Sequence, residues 1–340
     1  MKRIALLAAL VFSSAHAETL YEYGQQCAKE IAEIPAFSCM AGELIPITVN
    51  GAVPPAYTPN MSCDKPSLLP ATEAGAQGQC LPGTRALLLR DDKTAQVSAI
   101  CRKKVVRAIE SPLFDEINIV SHSLKSGKTC WFTAKAAEPL TAAKGIDGRL
   151  VPSPTARNAR QGYALVQAAS EAKAQQGGVE HHKLLPPDQV WLSPQAVANS
   201  KPACVHCHDS GPFMYSPYIA QTTQLPGDPF GRYAPKAVGK DFQKAWWNLN
   251  AHGITTRGNT CTACHRVGNM NSCNVAMWQA SGRAPQPGAD DWAKEFPQSH
   301  WMSPGNLHSR LQWDASFADS LRQLAACCQD PKGPGCQVQP

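Results

Sequence analysis

The chain lacks any apolar run long enough to cross a bilayer. Ile4 to Phe12 is continuous but short, and no other stretch approaches the ~18 to 20 residues required. There is no Gly-rich phosphate loop and no Ser/His/Asp arrangement. No dense basic run interleaves with aromatics, so nucleic-acid binding has no support despite a formal net charge of +6. A membrane-spanning segment and nucleotide chemistry of the phosphate-loop kind are therefore not expected.

Cysteine, by contrast, is abundant. Two segments, Cys204-Val205-His206-Cys207-His208 and Cys261-Thr262-Ala263-Cys264-His265, share the pattern C-x-x-C-H. On a helical turn, cysteines at i and i+3 lie on one face, so each can form a thioether to one porphyrin vinyl group. The histidine at i+4 then presents its imidazole to the iron. With 14 Cys and 10 His in 340 residues, chance supplies roughly 0.02 such motifs. Zinc competes for paired cysteines but leaves the histidine after each second cysteine unexplained, twice. A thioredoxin-like redox pair lacks the expected strand–turn–helix context.

On these two motifs the chain, over about residues 200–330, resembles a dihaem c-type cytochrome. The resemblance implies two haem c groups. Cys204, Cys207, Cys261 and Cys264 would attach them, and His208 and His265 would be the proximal iron ligands. His206 is the variable position inside its motif and points away from the haem.

The start of the chain agrees with that reading. Lys2 and Arg3 precede the Ile4–Phe12 run, and Ala15-His16-Ala17 supplies small residues before Glu18, the outline of a signal peptide cleaved near Ala17. Export to the periplasm is expected, where haem c is attached. Cys27 lies too far beyond the cleavage point to carry a lipid anchor. Removing Lys2 and Arg3 would leave a charge that four haem propionates largely cancel.

Ten cysteines lie outside the motifs. Six (Cys27, Cys39, Cys63, Cys80, Cys101, Cys130) precede the haem region and four (Cys273, Cys327, Cys328, Cys336) follow it. Two even sets in an oxidising compartment suggest two separate disulfide frameworks. Pairing within each set stays open, except that the adjacent Cys327 and Cys328 are too close to bridge each other.

The expected architecture is α+β. After the signal peptide (1–17), a small, disulfide-stapled, mainly-β domain occupies 18–150. A Pro-rich connecting segment covers 151–199, either a linker or a wrap around the haem domain. A mainly-α dihaem cytochrome c-like domain fills 200–340. In the first half, Ile45–Val49 runs into the Asn50-Gly51 turn. Arg85–Arg90 pairs with Gln96–Cys101, and Glu116–Ser121 with Lys128–Thr133. Helices are expected at Tyr23–Glu33, Tyr163–Gln175 and Asp241–Asn250. Ser200 and Asn259 would cap the two haem turns. Asp314 would cap a final helix with Phe317, Leu321, Leu324, Ala325 and Cys328 on one face, similar to the C-terminal helix that closes over the haem edge in cytochromes of this class.

Each iron needs a sixth ligand or an open position. His252, His300, His308, Met214, Met270, Met277 and Met302 are the candidates. Met214 and Met270 follow their proximal histidines by six and five residues, a reach of ~20 Å at most, too short to pass around the disc. Better spaced are His208 with His252 and His265 with Met302, with His300 as substitute for Met302. His122, His181 and His182 are expected to face solvent. Trp246, Trp247, Trp278, Trp292, Trp301 and Trp313 are expected to pack on the porphyrins rather than relay electrons.

Two functions follow from the resemblance. One is a periplasmic electron carrier serving a redox partner protein, with both haems six-coordinate. The other is a dihaem oxidoreductase, peroxidase-like or acting on another small substrate, in which one iron keeps an exchangeable site. The supply of candidate ligands favours the carrier.

Overall fold

The computed structural model describes residues 17–58, 61, 63, 64, 81–162, 164, 165, 167, 185–214, 218–224, 226, 231–263, 265–270, 272, 273 and 310–339. Within them the protein is α+β, with antiparallel sheets and disulfides. The expected signal peptide, apart from Ala17, and most of the expected 163–175 helix lie outside these residues.

Helix α1 (Leu20–Glu30) begins where local chemistry makes a capping box. The Glu22 amide donates to the Thr19 hydroxyl, and the Thr19 amide donates to the Glu22 carboxylate at 2.9 Å. It starts and ends three residues before the expected helix. Its inner face carries Leu20, Tyr23, Gly24 and Cys27. Gly24 is required by close approach, since a Cβ there would sit 2.3 Å from the Pro154 carbonyl oxygen.

The main sheet runs in the order β1 (Glu43–Leu44), β2 (Arg85–Asp91), β3 (Ala95–Arg102), β5 (Glu116–Ser123), β6 (Thr129–Lys135), all antiparallel. Between them β4 (Leu113–Phe114) pairs with β7 (Ile146–Asp147). The two long hairpins fall where alternation and turn residues place them. At Asn50-Gly51 both residues have positive φ, 53° and 78°. That turn closes a bridge between Val49 and Ala52, and the preceding residues do not extend as a strand.

Register assigns each residue of the sheet to a face. One face carries Val97, Ala99, Ile117, Ile119, Phe132 and Ala134, buried together with the inner face of α1. The Cys27–Cys130 disulfide ties α1 to β6, and Cys39–Cys101 ties the 3₁₀ turn at Cys39–Ala41 to β3. Closing loops of 103 and 62 residues, each bridge contributes about 2–4 kcal/mol. The other face carries three cross-strand rows: Ser98–Val120–Trp131, Ile100–Asn118–Thr133 and Arg102–Glu116–Lys135.

The Pro-rich segment wraps around the core. Val151 pairs with Phe37, the Trp191 indole donates to the Pro152 carbonyl, and the Leu192 amide donates to Thr133. Short helices α2 (Pro187–Val190) and α3 (Pro194–Ala198) then lead to α4 (Cys204–Cys207) and α5 (Lys240–Ala245). One hydrophobic core runs from Leu20 through the sheet to Val205, Phe242 and Trp246.

The expectation of a mainly-α C-terminal half is overturned. Among the described residues the helices before the last are short, and β8 (Gly253–Thr256), β9 (Val267–Gly268) and β10 (Cys336–Gln339) form a sheet ordered β10–β8–β9. Strands of two to four residues carry too little periodicity to read. The β10–β8 pairing spans a long stretch of chain, brought together by the disulfides Cys273–Cys328 and Cys327–Cys336. The last helix, α6 (Arg310–Gln329), packs on β8 and buries Leu321, Leu324 and Ala325 as expected. Asp314 lies inside it rather than at its cap, and α5 ends at Ala245 instead of Asn250.

The cysteines divide as the count suggested, with bridges inside each set and none between Cys327 and Cys328. Cys63 is also disulfide-bonded. These bridges are consistent with an extracytoplasmic location. No helix among the described residues is long and apolar enough to cross a membrane.

Candidate functional site

Helix α4 is a single turn with both of its cysteines at its ends. Ala203 precedes it in extended conformation with no side-chain cap; Ser200, the expected cap, donates to the Pro202 carbonyl instead. The His208 amide donates to the Cys204 carbonyl at 2.9 Å, so the histidine continues the turn. Its ring Nδ1 lies 2.8 Å from the Pro212 carbonyl oxygen. A carbonyl can only accept, so Nδ1 carries the proton and Nε2 keeps a bare lone pair, the arrangement that orients a metal-binding imidazole. Burial pushes the His208 pKa down to about 4, with the Arg102 charge adding to the effect, so the ring is neutral across the physiological range. Tyr233 fixes the turn by donating its hydroxyl to the His208 carbonyl at 2.6 Å.

In front of this turn lies a cavity of about 240 Å³. Cys204, Cys207, His208, Phe213 and Met214 line one side, and the three sheet rows line the other. Trp131 is the wall nearest the histidine, its ring centroid 5.0 Å from that of His208 and 6.2 Å from that of Trp246. Sequence reasoning missed Trp131, although strand alternation held the clue. Cys130 faces the disulfide core, so its neighbour must face the opposite side.

The far end of the cavity is charged. Lys104 bridges Glu116 at 2.7 Å, and Asn118 donates to the same carboxylate. Burial alone would raise the Glu116 pKa, but the Arg102 and Lys104 charges and the bonds from Lys104 and Asn118 overcome it and hold it at about 2. A depressed carboxyl stabilises the fold fully above its unfolded pKa, near 4.5, and this stabilisation is lost as pH falls through about 2. Acid titration followed by circular dichroism should therefore show Glu116→Gln unfolding with a weaker pH dependence between pH 4.5 and 2 than the unaltered protein. Identical acid profiles would contradict the assignment.

The second motif is built by Asn259, as expected of a cap. Its side-chain oxygen accepts from the Cys261 amide at 3.0 Å and the Thr262 amide at 3.3 Å, and the His265 amide donates to the Cys261 carbonyl at 2.8 Å. Cys261 is buried. His265 is exposed over more than a third of its surface, although desolvation by surrounding protein still lowers its pKa. Cys264 lies outside the described residues.

A buried carboxylate joins the two motifs. Asp209, directly after His208, accepts from the Met270 amide at 2.8 Å, the Ser272 amide at 3.2 Å and the Ser272 hydroxyl at 2.7 Å. The Ser210 hydroxyl donates to the Arg266 carbonyl. The loops leaving both motifs are thus docked on each other.

The other candidates fall as follows. His252 does not line the cavity in front of His208. Its backbone pairs with Asn269 beside β9, its Nδ1 lies 2.8 Å from the Asn250 carbonyl, and its buried Nε2 has no hydrogen-bond partner. Met214, set aside on reach, does line that cavity. Met302, His300, His308 and Met277 lie outside the described residues, as do His181 and His182. His122 is buried, not solvent-facing: it is 2% exposed, with Nδ1 3.0 Å from the Thr129 hydroxyl. Trp246 is buried, its indole donating to the Ala198 carbonyl, and Trp247 is 75% exposed; neither lines the cavity in front of His208.

The thiols discriminate among chemistries. Among the described residues every cysteine outside the motifs is disulfide-bonded, whereas Cys204, Cys207 and Cys261 form no disulfide. Burial pushes the Cys204 thiol up to about 12, the opposite of what a thiolate redox pair needs. No group of three His, Cys, Asp or Glu side chains among the described residues converges as a metal cage. No protein-family model, curated protein or solved structure matches this chain.

Proposed function

We propose that this protein is a periplasmic electron-transfer protein carrying two covalently bound c-type haems. One observation carries the reading. Cys204, Cys207 and Cys261 form no disulfide, while every described cysteine outside the motifs does, and His208 beside the first two holds a neutral ring with a bare Nε2 at a cavity. The residues fit the group. Cys204 and Cys207 would take the thioethers of one haem, with His208 on its iron. Cys261, Cys264 and His265 would do the same for the other. Bound haem supplies reversible one-electron chemistry, with potential set by axial ligand, burial and charge.

The chain's own residues do the rest. Pro212 orients the His208 ring; Trp131, Ile100, Val120, Leu192 and Phe213 give the cavity apolar walls that exclude water. Asp209 fixes the two attachment turns relative to each other. Met302, or His300 in its place, would supply the second protein ligand to the iron held by His265. The bare, buried Nε2 keeps His252 as a ligand candidate, but its contacts with Asn269 put it beside the second motif rather than in the first cavity. A redox partner protein completes the proposal.

Optical spectra of the ferric protein with and without cyanide test it. Two low-spin haems unreactive with cyanide are the expected result. Met302→Ala should abolish a weak near-infrared sulfur-to-iron band and lower one haem's potential. A high-spin wild-type spectrum with rapid cyanide binding would instead establish the oxidoreductase alternative.

A further inference from the structure

The sheet in the first half of the chain has a chemical grain. Along β6 its cavity face passes from Trp131 through Thr133 to Lys135, and the neighbouring strands change character in step. Val120, Asn118 and Glu116 follow on β5, and Ser98, Ile100 and Arg102 on β3. The end beside His208 is apolar; the far end, four residues and ~13 Å along the strand, is ionic.

The charges there do not cancel. Arg102, Lys104, Lys135 and Lys201 line the cavity against a single carboxylate, Glu116, which Lys104 already engages. Arg102 stands opposite Glu116 in register, yet its Nε is buried and has no hydrogen-bond partner. Lys135 lies opposite Glu116 on the other side, its side chain exposed at the rim. A buried guanidinium nitrogen without an acceptor is costly, and its natural complement is a carboxylate or similar oxyanion held bidentately.

We infer that Arg102 and Lys135 form an oxyanion site at the far end of the His208 cavity, taking a carboxylate or inorganic oxyanion. This rests on the haem reading for its first source, the propionates of a haem attached at Cys204 and Cys207. Trp131 and Val120 would take the apolar part of that haem and the Arg102 row its carboxylates, in keeping with the grain of the sheet. The second source is a free oxyanion entering past Lys201. Either way the sheet supplies the charged wall of a site whose motif cysteines lie far along the chain, at Cys204 and Cys207.

The test uses the intact, exported protein and the double variant Arg102→Gln, Lys135→Gln. Lys104 is left in place, so Glu116 keeps its ion pair. First, the haem potential is followed by spectroelectrochemistry from pH 5 to 9. If propionates occupy the site, losing their cations raises the carboxyl pKa, and the pH at which the potential begins to fall moves up by about one unit. Second, the ferric protein is titrated with sulfate in a calorimeter. If a free anion occupies the site, the wild-type heat response is saturable and the double variant needs at least about tenfold more anion. A shift in either arm supports the inference and names the source. Two attached haems with both arms unchanged in the variant would overturn it. A protein with no covalent haem would sink the cytochrome reading instead. The site would then be judged by calorimetry of sulfate binding: weaker binding in the double variant sustains it, and equal binding ends it.

Discussion

A Cys204→Ser, Cys207→Ser protein is expected to carry one covalent haem where the unaltered chain carries two. Intact mass should fall by one haem group beyond the substitution itself, and the remaining colour should survive acid–acetone extraction. The reason is structural. The two turns are built separately, the first on the Ala203 carbonyl and Pro212, the second on the Asn259 cap. Serine keeps the size of the side chain but cannot form the thioether, so the loss is confined to the first cavity. Loss of both haems would show that the turns do not load independently. A colourless unaltered protein would end the cytochrome proposal altogether.

The second large effect concerns stability. Arg107 and Asp115 form an ion pair whose side chains are 1% and 0% exposed, with Nη2 to Oδ1 at 2.6 Å. Asp115→Asn removes the carboxylate charge and leaves a guanidinium without its counter-charge in the interior, a loss of about 3–5 kcal/mol. Urea unfolding should show it as a lower midpoint with little change in slope. Buried pairs can often be exchanged for apolar residues without loss, but this one should not tolerate it. Arg107 also donates to the carbonyls of Thr141, Ala142 and Lys144. An Arg107→Met, Asp115→Leu double variant strands those acceptors, so it should remain destabilised by at least about 2 kcal/mol. Wild-type stability in the double variant would show that the three carbonyls do not depend on Arg107.

How much of this was legible in the sequence depends on distance along the chain. The long hairpins were readable because their pairing is local: β2 turns at Asp92 into β3, and β5 turns at Gly127 into β6. The motif turns were readable because each is complete within five residues. The C-terminal sheet was not, since Gly253–Thr256 and Cys336–Gln339 are four residues each and meet only through the tertiary fold. The wall of the site was hidden for the same reason. Nothing near Cys204 announces Trp131 or Arg102, which reach it through sheet register and a core shared across both halves. Local spacing gave the proposed ligands, and topology gave the walls around them.

The Asp209 link has a consequence for how this chain can change over generations. Gly268 lies against that carboxylate so closely that a Cβ there would fall 2.1 Å from Asp209 Oδ1. Any side chain at 268 collides with Asp209, and any shorter residue at 209 abandons the Ser272 hydroxyl and the Met270 amide. Neither position is a motif cysteine or histidine, yet neither can drift alone. Descendants of this sequence should keep Asp209 and Gly268 as a pair or lose both together, and the linked loss would mark lineages in which the two motifs have parted company.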